Sequence, residues 1–153
     1  MNFWLYGIEY GCSLPNSLYR DFKRDTGKCL SQLMYEVYTT VAFASDKLRA
    51  IKDINQLADA DLASKVFYHL AKTEDKSVSI DELYDACIRS SFGNLNFDTD
   101  EKIAPYQVVL FKLAMDIQKA NQEDAVRMAD KKKLYPSSDT LKEILESMTT
   151  QAQ

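Results

Sequence analysis

Any chemistry in this chain would have to begin from His69, its one histidine, and from three cysteines, Cys12, Cys29 and Cys87. A hydrolytic dyad or triad sets a base beside a nucleophile. His69 has no Gly-x-Ser-x-Gly or comparable activating context around it. Spaced from Leu62 and Val66 as on a helix, it lies at the margin of an apolar face and reads as a structural or surface residue. One imidazole and three scattered thiols, with no C-x-x-C pair, make a poor zinc set. The cysteines read instead as small buried hydrophobes of a reducing compartment.

Oxygen ligands are the other possibility. A calcium loop needs alternating oxygen donors, a central glycine and a closing glutamate. Asn94, Asn96 and Asp98 alternate correctly, but Thr99 stands where glycine belongs and Pro105 where the glutamate belongs. In a second segment Val78 and Glu82 fit the end of such a loop, while Ala71 and Lys76 occupy the first-ligand and glycine positions. Both patterns fail. No glycine-rich phosphate loop is present. The pairs Asp81-Glu82 and Asp100-Glu101 sit at helix starts, where the dipole alone accounts for them. Lys131–Lys133 reads as a solvated face. No catalytic, cofactor or metal residue is nominated.

The elements that would position such residues are helical. Four glycines and three prolines in 153 residues are too few for the many turns of an all-β fold. At this length a domain buries about 68–70% of its unfolded-chain surface and needs neither disulfide nor metal. With 19 basic against 23 acidic residues there is no phosphate-neutralising stripe, so nucleic acid is not an expected partner. Met1–Leu14 lacks the charged start and apolar run of a secretory signal. No stretch reaches the roughly 20 apolar residues that cross a bilayer. A soluble, cytoplasmic protein without membrane contact is expected.

Residues 3–14 place aromatic and aliphatic residues around two glycines, which predicts a short hairpin turning at Gly7. Leu14-Pro15-Asn16-Ser17 predicts a helix start in which Asn or Ser accepts the free amides. Leu18, Tyr19 and Phe22 share its face, and Thr26-Gly27 ends it. Leu30, Leu33, Met34, Val37, Tyr38 and Val41 form a second face, reaching Leu48 and Ile51 unless the helix breaks near Ser45-Asp46. A third helix, capped by Asp59 or Asp61, carries Leu62, Val66, Phe67 and Leu70. Ser79 to Glu82 fits a capping box before a fourth face of Leu83, Tyr84, Cys87 and Ile88.

After a loop at residues 90–100, the segment Ile103–Ile117 is apolar on two sides. Tyr106, Val109, Leu110, Leu113 and Ile117 make one stripe; Val108, Phe111 and Met115 make another. That pattern predicts a central, buried helix. Its continuation is polar to Lys133. Ser137 or Ser138 then caps a final helix with a stripe of Leu141, Ile144, Leu145 and Met148, and Thr149–Gln153 is expected to fray. The expected fold is mainly α, a bundle of five or six helices with a small N-terminal β-hairpin. The division expected is 1–133 for the helical domain and 134–153 for a C-terminal helix and tail, read either as a terminal helix docked on the domain or as a mobile arm. The stripe Leu141, Ile144, Leu145 and Met148 is the expected partner-binding surface.

The segment Leu18 to Leu30 resembles one found in tail assembly chaperones of long-tailed bacteriophages. There a glycine-bearing hairpin leads into an aromatic amphipathic helix ending in Arg-x-Thr-Gly-Lys-x-Leu. Phe22, Arg24, Thr26, Gly27, Lys28 and Leu30 stand in those positions. Leu62–Leu70 is similar to the helix that follows in the family, and Val78–Ile88 to the capped helix after it. Tyr35–Asn55 is longer than the family's corresponding segment. The resemblance covers about half of the chain. It implies an assembly factor without an active site or cofactor, made in the host cytoplasm. Its implied partners are the tape measure protein, whose apolar helices it shields, and the tail tube protein it helps recruit, with a homo-oligomer as a further possibility. A generic helical adaptor for a cytoplasmic partner, and an enzyme built from carboxylates and tyrosines, are the rival readings.

Overall fold

Tyr6 and Gly7 both have positive φ, 49° and 81°, the pairing that lets a two-residue turn follow the twist of its strands. Only glycine takes this conformation without steric cost, so Gly7 fixes where the hairpin turns. In the computed structural model, which describes residues 1–95, 100–132 and 138–152, strands β1 (Asn2–Leu5) and β2 (Ile8–Gly11) pair antiparallel with Phe3 opposite Tyr10. Strand alternation sends Phe3, Leu5 and Tyr10 inward. Phe3 stacks on Tyr10 and packs against Phe67. The Gly7 N–H donates to the Lys102 carbonyl at 2.7 Å, tying the turn to a 3-10 turn at Glu101–Ile103.

Helix α1 (Asn16–Thr26) stops at Gly27, whose φ of 76° is left-handed and whose N–H donates to Lys23. Its start differs from expectation. Pro15 holds the cap position, the Leu18 N–H donates to the Pro15 carbonyl, and neither Asn16 nor Ser17 caps with its side chain. Leu18 and Phe22 are buried. Beyond Gly27, α2 (Leu30–Ala42) and α3 (Lys47–Leu57) are separate helices. The break falls where Asp46 accepts the Arg49 N–H at 2.8 Å, because a capping carboxylate in extended backbone cannot continue the helix before it. Leu48 turns to solvent, contrary to the continued pattern, while Ile51 and Ile54 are buried.

Asp59, not Asp61, caps α4 (Ala60–Lys72), accepting the Leu62 N–H at 2.9 Å. This helix packs against α1, against β2 and against α5 (Ile80–Arg89). It buries Val66, Phe67, His69 and Leu70, while Leu62 is only half-buried. Ser79 caps α5 by accepting the Glu82 N–H. Half of the expected capping box is present. The Glu82 carboxylate is engaged by the Tyr10 hydroxyl, which donates to it at 2.7 Å. The α5 face is also narrower than the pattern suggested: Leu83, Ala86 and Cys87 are buried, whereas Tyr84 and Ile88 are exposed.

After Pro105 the long helix α6 (Tyr106–Lys132) begins, so Ile103 is not part of it; that residue is exposed in the 3-10 turn. The stripe of Tyr106, Val109, Leu110, Leu113 and Ile117 is buried. The second stripe is not. Val108 and Phe111 are half-buried and Met115 is exposed, so α6 covers the core from one side and is no buried central rod. Tyr106 anchors it, its N–H donating to Ser90 and its hydroxyl to Asn55 at 2.8 Å. Last comes α7 (Ser138–Ala152). It continues past Thr149, where fraying was expected, and the Thr149 hydroxyl donates to the Leu145 carbonyl. Ser137, the alternative cap, lies outside the described residues.

The fold is thus mainly α, with seven α-helices among the described residues and a small N-terminal hairpin. The chain forms two compact units, Met1–Gln118 and Lys119–Gln153. The boundary between them lies within α6.

Candidate interaction surface

His69, Tyr10 and Tyr106 each tie one element of the first unit to another. His69 is only 8% exposed, and its Nε2 lies 2.9 Å from the Asp25 carboxylate. The edges of Phe22 and Tyr68 enclose its ring. The pair fastens α4 to α1. Tyr10 joins β2 to α5 through Glu82, and burial first, then that hydrogen bond, pushes its hydroxyl well above the ordinary tyrosine range. Burial does the same to Tyr106. These phenols stay protonated and act as donors.

The cysteines divide two to one. Cys12 and Cys87 are buried, and burial pushes their thiols up to about 11 and about 12. Cys29, expected to be buried, is exposed. It holds the extended position just before α2, outside the helical face that Leu30 begins. Among the described residues no three His, Cys, Asp or Glu side chains gather to hold a metal ion. Of the calcium-like segments, Asn96 and Asp98 lie outside the described residues. In the other, the Asp75 carboxylate accepts from the Ser77 hydroxyl and backbone N–H, which lowers its pKa.

The four residues read from the sequence as a binding surface come together on one side of α7. Leu141, Ile144, Leu145 and Met148 recur at i, i+3, i+4 and i+7, and are 39%, 47%, 54% and 62% exposed. Four large apolar side chains on one helical stripe form the kind of contiguous patch that marks an interaction surface. Val126 and Met128, in the second half of α6, are exposed too. Among the described side chains of this unit, Ala129 is the only buried apolar one.

Within the first unit lies a surface that the periodicity did not announce. A groove of about 450 Å³ runs along α3, with Ala50, Ile51 and Ile54 as its floor and Val41, Val108 and Phe111 as its half-buried walls. Lys47 and Asp46 form its lip. Phe43, at the break between α2 and α3, is 87% exposed. The available signals were the second stripe of α6, which supplies two of the walls, and the capping Asp46, which bends the chain to form the trough. Phe43 falls off the heptad-like face and gave no periodic signal.

No family model, curated protein or solved structure matches this chain. No helix among the described residues is long and apolar enough to cross a membrane.

Proposed function

We propose that this protein is a tail assembly chaperone of a long-tailed bacteriophage, acting by helix-in-groove contact with the tape measure protein. The observation that carries the reading is the exposed apolar stripe of α7, Leu141, Ile144, Leu145 and Met148. A shielding protein must present apolar side chains to an apolar helical client and release it later. The hairpin, the short α1 and its Thr26-Gly27 stop keep the order of elements on which the family resemblance rests. In this reading the protein works in the host cytoplasm, holds the tape measure protein in solution and recruits tail tube subunits to it.

Co-expression with the tape measure protein tests this. The soluble yield of the tape measure protein should rise, and the two should co-purify. Leu145→Asp with Met148→Asp should abolish both effects while leaving the chain folded. If the tape measure protein stays insoluble beside the wild-type chain, the chaperone reading fails. Retention of another cytoplasmic protein through the same stripe would then favour the general adaptor reading.

A further inference from the structure

We draw no further inference here: the strongest candidate, the apolar groove along α3 beside the exposed Phe43, is an unpartnered face, and nothing in the structure shows what covers it.

Discussion

In the unit Met1–Gln118, Phe22, Phe67, Leu83 and Leu110 are fully buried. In Lys119–Gln153, the large apolar residues Val126, Leu141, Leu145 and Met148 are all exposed. Both units are written in the same helical periodicity. What separates them is the supply of neighbours. The first has a hairpin and five whole helices to set against the opening half of α6, enough to bury one apolar side of each. The second has the end of α6 and a 15-residue α7, and a helix of that length is marginal in water unless its apolar face is covered. An amphipathic stripe is therefore a demand for a partner, met for the main stripes of the first unit and left open on α7.

The sharpest way to break this contrast is a matched pair of truncations. Phe67→Ala should cost about 3–5 kcal/mol by chemical denaturation, since it leaves a cavity beside Phe3. Leu145→Ala on the open stripe should stay within about 0.5 kcal/mol. Equal losses would mean that α7 is covered after all.

A second effect belongs, among the described residues, to the first unit. Tyr10, Tyr106, Cys12 and Cys87 all have raised pKa values, burial being the largest cause for each. Above their ordinary values the unfolded chain gives up these protons before the folded one does. The stability they contribute is fully present below about pH 8.5 and is lost as pH rises through the thiol and then the phenol range. Urea midpoints measured across alkaline pH should fall steadily. A flat profile would contradict the burial of these groups.

At the hairpin, Gly7→Val should destabilise the first unit by about 1–2 kcal/mol, read as a lower melting temperature. It places a β-branched side chain at a φ of 81°, although nothing lies within 4 Å of the added carbon. The cost is backbone strain, not a clash. Deleting residues 137–153 should have the smallest effect on stability, leaving the main melting transition in place while any self-association or partner binding disappears. A large drop in melting temperature would make α7 part of the first unit's support.

Several features were legible from sequence because their causes are local. Gly7 and Gly27 occupy positions where the backbone needs positive φ. Asp59, one of two candidates, and Ser79 accept amides three residues away, a relation that can be read without knowing the rest of the fold. The stripe of α7 was legible for the same reason, being a pattern within one helix.

The tertiary structure decided everything that depends on what lies opposite. It chose one apolar side of α6 over the other, left Tyr84 and Ile88 in solvent, and exposed Cys29. It also placed Asp25 against His69, 44 positions apart, and Glu82 against Tyr10, 72 positions apart. Periodicity states which side chains gain from burial. Whether they are buried depends on the area that neighbouring elements can offer, and that quantity belongs to the assembled fold.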